Sequence, residues 1–227
     1  EGVPIEHGMV TRAIANAQKK VEAHNFEIRK QLLEYDDVMN KQREVIYRHR
    51  RAVLSGENLT NDLHDMMGSS VESSLSVYCP PEQYPEEWDV KGLTEVMHGQ
   101  FGLDITQGKH DGGDSLRDVG RDALLEDLRT HVRDAYTKKE QELGPDLMRF
   151  LEKTFMLQVI DHHWKDHLLG MDHLRDGIGL RGYGQKDPLI EYKREGFDLF
   201  AGMMDRVKSD TLDRLFHVQA VRHEGEQ

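Results

Sequence analysis

The sequence predicts an all-α protein made of one long helix, a small helical lobe and an antiparallel two-helix hairpin. Three observations lead to that class. Apolar residues recur at steps of three and four through most of the chain, and no stretch reads as a strand. Residues 9 to 55 contain neither glycine nor proline. The composition is 37% hydrophobic, 32% charged and 7% aromatic, with six prolines, which suits exposed, elongated helices better than a thick core.

Residues 2–6 read as a short linker into the first helix. From about Gly8 to Leu54 one stripe carries Val10, Ile14, Ala17, Val21, His24, Ile28, Leu32, Tyr35, Met39, Gln42, Ile46 and Val53. A helix of about 45 residues would be roughly 68 Å long. That is more than one globular domain needs, so it reads as a beam joining parts, with its apolar face covered by the hairpin. A coiled-coil dimer arm is the alternative, and polar His24 and Gln42 in the stripe weaken a strict seam.

Ser55-Gly56 ends the beam, and residues 55–144 read as the small lobe. A helix over 58–78 carries Leu63, Met66, Met67, Val71, Leu75 and Tyr78, and Cys79-Pro80-Pro81 stops it. Residues 82–87 form a loop and 89–101 a short helix. Q-G-K-H-D-G-G-D at 107–114 is a turn, and Ser115 caps a helix running to about Leu143. Gly144-Pro145 breaks that helix and starts the next.

Residues 145–218 read as the hairpin. Leu157, Ile160, Trp164, Leu168, Met171, Leu174 and Ile178 form one stripe, and Leu189, Tyr192, Phe200, Met203, Val207 and Leu215 a second, with Gly196 in it. Between them Gly177, Gly179, Gly182 and Gly184 are each free to take positive φ, which lets the tip fold back and expose its side chains. Asp187 is the expected N-cap of the second helix and Pro188 its first residue. At the tip Ile178, Leu180 and Tyr183 alternate with Arg181 and the glycines, and Lys186 adds charge, which suits contact with varied peptide. A loop packed back on its own helices is the other reading. Residues 219–227 are a polar tail.

Net charge is −12, which disfavours nucleic acid and anionic lipid as partners of the surface as a whole. The one cysteine, Cys79, permits no internal disulfide and suggests a reducing compartment. No apolar run is long enough to span a bilayer. The start E-G-V-P-I-E, without Met, reads as that of a fragment or excised domain.

Catalytic and cofactor signatures are weak. Gly177 to Gly182 satisfies G-x-G-x-x-G, but a dinucleotide site needs a strand before it, and here a helix precedes it. His163 and His167 with Asp166 have metal-like spacing, yet lack a further ligand and a general-base Glu, so structural histidines are favoured. Glu34, Asp36, Asp37 and Glu44 read as a solvated face rather than an acid–base pair. No Walker motif or nucleophile signature occurs, so no ATPase activity is expected of this chain alone. No catalytic, cofactor or metal residue is assigned.

Two long stretches carry a family resemblance. L-R-D-G-I-G-L-R-G-Y-G-Q-K-D-P-L-I-E-Y-K-R-E-G-F, beginning at Leu174, resembles the two-helix finger of the SecA family of bacterial protein-export motors. I-R-K-Q-L-L-E-Y-D-D-V-M-N-K-Q-R, Ile28 to Arg43, resembles that family's helical scaffold, and the lobe would correspond to its helical wing. The resemblance implies a part of an ATP-driven preprotein translocase, coupling the motor to the SecY channel and the unfolded preprotein. It implies polypeptide or channel contact by Ile178, Leu180, Arg181, Gly182, Tyr183 and Lys186, with Tyr183 the fingertip tyrosine, and contact with the motor domains at Arg29. ATP and Mg would belong to motor domains elsewhere in the parent, and the family's zinc tail is absent from this sequence. A homodimer of the parent and a cytoplasmic place at the inner face of the plasma membrane are also implied. A standalone helical adaptor or coiled-coil oligomerisation protein is the alternative, and a His/Asp metalloenzyme a third reading.

Overall fold

The computed structural model describes residues 8–56, 59–105 and 120–219, apart from the side chains at 182 and 183. The linker at 2–6, the turn at 107–114, the cap at Ser115 and the tail beyond 219 lie outside the described residues. Among the described residues there are six α-helices, two short 3-10 segments and no strand, as the all-α class requires. The helices are α1 (Gly8–Ser55), α2 (Leu59–Tyr78), α3 (Val90–Phe101), α4 (Arg121–Leu143), α5 (Pro145–Ile178) and α6 (Pro188–His217). The 3-10 segments are Pro85–Glu87 and Gly179–Gly184.

Helix ends follow the local chemistry. Gly102, just past α3, takes φ 67° and ψ 18°, the left-handed stop that costs glycine least; Gly56 and Gly144, just past α1 and α4, also take positive φ, 73° and 85°. Asp89 caps α3, its carboxylate accepting from the Gly92 N–H at 2.9 Å.

The chain divides into two compact units. Unit one takes the chain up to Val45 together with Leu169–Leu199, and unit two takes Ile46–Leu168 and the chain from Phe200 on. In unit one, Met171, Ile178 and Tyr192 are the buried centre, with Tyr35, Val38, Met39 and Leu174 packed against them. The Tyr35 and Tyr192 rings meet edge to face at 4.9 Å.

The expected cover of the whole α1 stripe is not what forms. Every residue from Gly8 to Leu33 is exposed, and Leu32 is 56% exposed. In unit one the shielded residues of α1 are Glu34, Tyr35, Val38, Met39 and Gln42. The reason is reach. Only Leu169–Ile178 of α5 and Pro188–Leu199 of α6 belong to this unit, about three turns each, and that length covers only a few turns of a partner.

Unit two holds the larger core. Leu63, Val71 and Leu75 of α2, Leu93 and Met97 of α3, and Leu124, Leu128 and Val132 of α4 are all buried, as are Met148 and Met156 of α5 and Met203 and Val207 of α6. A polar network is buried with them. Glu152 accepts from the Tyr136 hydroxyl and, at 2.9 Å, from Arg149, whose guanidinium also donates to Glu140 and Thr60. Burial pushes the Glu152 carboxyl and the Tyr136 phenol above their ordinary pKa values.

Cations from neighbouring helices reach three helix ends in the same unit. Lys153 donates to the Leu54 carbonyl at 2.7 Å, Arg121 to the Cys79 carbonyl at 3.0 Å, and Lys139 to the Phe216 carbonyl. Each satisfies an end carbonyl and meets the negative end of a helix dipole, worth about 0.3–1 kcal/mol.

Substitutions on α1 and α6 separate shielded from open positions. Leu32→Asp is expected to leave the unfolding free energy of this chain within about 0.5 kcal/mol of the parent. Tyr192→Ala is expected to lower it by about 3 kcal/mol or more. Urea unfolding followed by circular dichroism measures both, and a large loss in Leu32→Asp would contradict the packing described.

Candidate contact surface at the α5–α6 connection

The connection starts inside α5, which runs through Gly177 to Ile178 before the chain tightens into Gly179–Gly184. Gly177, Gly179 and Gly184 all keep φ outside the left-handed region, so their freedom to take positive φ is not used. The left-handed residue is Gln185, at φ 58°. A 3-10 segment continues the right-handed winding with i to i+3 bonds, so reversal waits for one residue beyond the glycines. The Lys186 N–H then returns to the Arg181 carbonyl at 3.4 Å. Asp187 caps α6 as expected, its Oδ1 accepting from the N–H groups of Leu189 and Ile190 at 2.8 and 3.3 Å.

The sequence-expected contact residues divide by environment. Ile178 is only 4% exposed and packs in the cluster with Met171 and Tyr192. It supports the connection from below and offers no contact surface, contrary to expectation, because its place in the helical stripe turns it inward. Leu180, at 70% exposure, is open. Arg181 pairs with Glu195 at 3.2 Å, and Lys186 with Glu191 at 3.4 Å. Glu191 also takes Arg194 at 2.6 Å. The local positive charge is therefore met by carboxylates of α6, of which Glu191 is buried. The side chains of Gly182 and Tyr183 lie outside the described residues. Arg29 stands on exposed α1, its Nε donating to the Asn25 carbonyl one turn back at 3.2 Å.

Beneath the connection one polar contact was not legible beforehand. Gln42, 7% exposed, donates from Nε2 to the Gly196 carbonyl of α6 at 2.9 Å. A Cβ built at Gly196 would lie 2.8 Å from Met171 Cε. A larger residue at 196 would make the end of the Met171 side chain shift, and the sequence marked the position only as a gap in an apolar stripe.

The histidine cluster resolves into separate contacts, all within unit two. His163 Nε2 meets Asp210 at 2.7 Å, while Asp166 lies 3.5 Å from His162 instead. His167 is packed between the rings of Trp164 and Phe200, each 5.6 Å away. Among the described residues no group of three or more His, Cys, Asp or Glu could hold a metal ion. Burial, with Arg206 nearby, lowers the His167 pKa from 6.5 to about 4.

Two measurements follow from this geometry. A non-glycine residue in the left-handed region carries a cost of about 1–2 kcal/mol, so Gln185→Gly is expected to stabilise by about 0.5 kcal/mol after the added freedom of the unfolded chain, and Gln185→Val to destabilise by about 1 kcal/mol or more. Chemical unfolding of the two variants checks the pair. As pH falls from about 6.5 to about 4, the unfolded chain takes up a proton at His167 that the folded chain refuses. Stability therefore declines across that window by roughly 3 kcal/mol from this residue. His167→Gln should flatten the pH dependence of the melting temperature there; an unchanged slope would contradict it.

Comparison with known proteins places the chain. The family model described as SecA Wing and Scaffold domain matches residues 4–219. Relatives called protein translocase subunit SecA match along nearly the whole chain. The protein from Desulforapulum autotrophicum is 50% identical over 224 residues, 99% of this chain and 26% of its own length. That from Syntrophobacter fumaroxidans is 51% identical over 224 residues, again 99% and 26%. That from Geobacter metallireducens is 46% identical, over 99% and 24%. The chain thus spans about a quarter of the length of these relatives. With a match from 4 to 219 and about half of its residues identical to those relatives, the chain belongs to the SecA wing-and-scaffold family.

Proposed function

We propose that this chain is the scaffold, wing and two-helix-finger part of an ATP-driven preprotein translocase. The observation that carries the reading is the half-identity to translocase subunits over 99% of the chain. In this reading α1 is the scaffold helix, α2 to α4 form the wing, and α5 and α6 form the finger. Nucleotide chemistry, with its ATP and Mg, belongs to motor domains outside this chain. The exposed stripe at Val10, Ile14, Val21, Ile28 and Leu32 supports it: an apolar stripe on a bare helix gains stability once another surface covers it, and the parent's own motor domains are the partner, with Arg29 next to Ile28 in the same exposed stretch of α1.

The connection at Gly179–Gly184 faces the SecY channel and the unfolded preprotein. Leu180 supplies exposed apolar area there, on a base held by Ile178, Tyr192 and Tyr35. Tyr183 adds a ring that accepts varied side chains at little rotamer cost. Arg181 and Lys186 are already paired with Glu195 and Glu191, so grip rests on apolar area more than on charge. Peripheral attachment at the cytoplasmic face belongs to the same reading, and among the described residues no helix is long and apolar enough to cross a membrane. The second reading, an oligomeric adaptor, draws on the same exposed stripe, and sedimentation of the chain separates the two: an adaptor coiled coil would dimerise tightly.

The test is transport by the full-length translocase that carries this segment. Tyr183→Ala is expected to slow preprotein transport about tenfold or more, a loss of about 1.4 kcal/mol or more in the driving step. Basal ATP hydrolysis should stay near the parental rate, and Tyr183→Phe should be much milder because the ring remains. Transport by Tyr183→Ala at the parental rate would make the connection a passive link between helices.

A further inference from the structure

The face of α1 that is shielded in unit one is apolar except at its two ends, where Glu34 and Gln42 lie. Tyr35, Val38 and Met39 pack against the Met171, Ile178 and Tyr192 cluster. Gln42 is the most deeply covered of these α1 residues, and its amide is aimed at a main-chain oxygen, Gly196 O, 2.9 Å away.

Apolar packing of this kind is not directional. If α6 slid along α1 by one helical turn, about 5.4 Å, Val38 and Met39 could trade neighbours and most of the apolar cover would survive. The Gln42 bond would not survive. Its Nε2 would face a different turn of α6, and breaking a hydrogen bond between buried groups costs free energy. The Gly196 carbonyl can hold this bond beside its own helix bond because a carbonyl oxygen has two lone pairs. Gly196 lies where side chains of α1 and α5 come close to α6: a Cβ there would stand 2.8 Å from Met171 Cε, so the end of the methionine would have to shift, and 3.8 Å from Gln42 Nε2.

We propose that Gln42 is a positioning residue: its amide, held on the Gly196 carbonyl, sets the axial register of α6 along α1. A single buried amide sets register in the same way in helical coiled coils. The clip fixes which turn of α6 answers a displacement of α1, and so where the Gly179–Gly184 connection is carried. That last consequence rests on the translocase reading; the register itself does not.

The experiment reads register directly, in this chain, without transport. Spin labels are placed at two exposed positions of unit one, Glu44→Cys on α1 and Lys193→Cys on α6, in a Cys79→Ala background, and the distance distribution is measured by double electron–electron resonance. The parent should give one narrow population. Gln42→Leu and Gln42→Met keep the volume and the apolar cover but remove the amide. Both should stay helical by circular dichroism while the distribution broadens or splits by about one helical turn, roughly 5 Å. An unchanged narrow distribution in either folded variant overturns the proposal. If Gln42→Leu does not fold, Gln42→Met decides. Loss of fold in both also overturns it, since the side chain would then be needed for folding rather than for register. Loss of transport in Tyr183→Ala leaves this result untouched, so the two readings fail separately.

Discussion

A helix as long as α1 has more apolar stripe than its neighbours can cover, and much of the structure follows from that mismatch. Within unit one, α5 and α6 meet it over about three turns each. Their cover is spent on Tyr35, Val38, Met39 and Gln42. The stretch from Gly8 to Leu33 keeps its period but not its burial. Its helicity draws on good helix formers, Ala, Gln, Lys, Glu, Arg and Leu, which lose little rotamer freedom on a helix. The stripe there is a surface prepared for cover by something else.

Unit two is tied differently. Its helices share a deep apolar core, and polar side chains finish what apolar packing leaves open. Lys153, Arg121 and Lys139 each reach a carbonyl at or near the end of another helix. Glu152, wholly buried, is held by Tyr136 and Arg149, and Arg149 in turn reaches α2 through Thr60 and α4 through Glu140. Such a network is directional where the core is not. Truncating one member would strand a buried charge, which costs far more than the intact network contributes.

At the connection, charge and shape have separate tasks. Arg181, Lys186 and Arg194 would form a basic patch if they stood alone, but Glu195 and Glu191 lie within pairing distance. The apolar residues are divided as well: Ile178 and Tyr192 are committed to the base and Leu180 is left outward. A base closed by edge-to-face tyrosines, with Gln42 at its far side, holds a short, tightly wound segment whose reversal is confined to Gln185.

The sequence by itself determined the helices. Period, proline and glycine punctuation and the Asp187 cap set where α1, α3, α5 and α6 run, because those are choices made within a few residues of chain. Two long stretches were also enough to indicate the family. The depth of each stripe was decided only by the tertiary structure: periodicity marks the face that would be buried, and the reach of the partner decides how far burial goes, so Leu32 and Tyr35 differ though both sit in one stripe. Which glycine matters was decided there too. Gly177, Gly179 and Gly184 look like turn formers but wind on, whereas Gly196, a gap in a helix, is where three helices close in. The pairing of Gln42 with the Gly196 carbonyl spans 154 positions of chain, and a bond between groups so far apart leaves no local pattern to read.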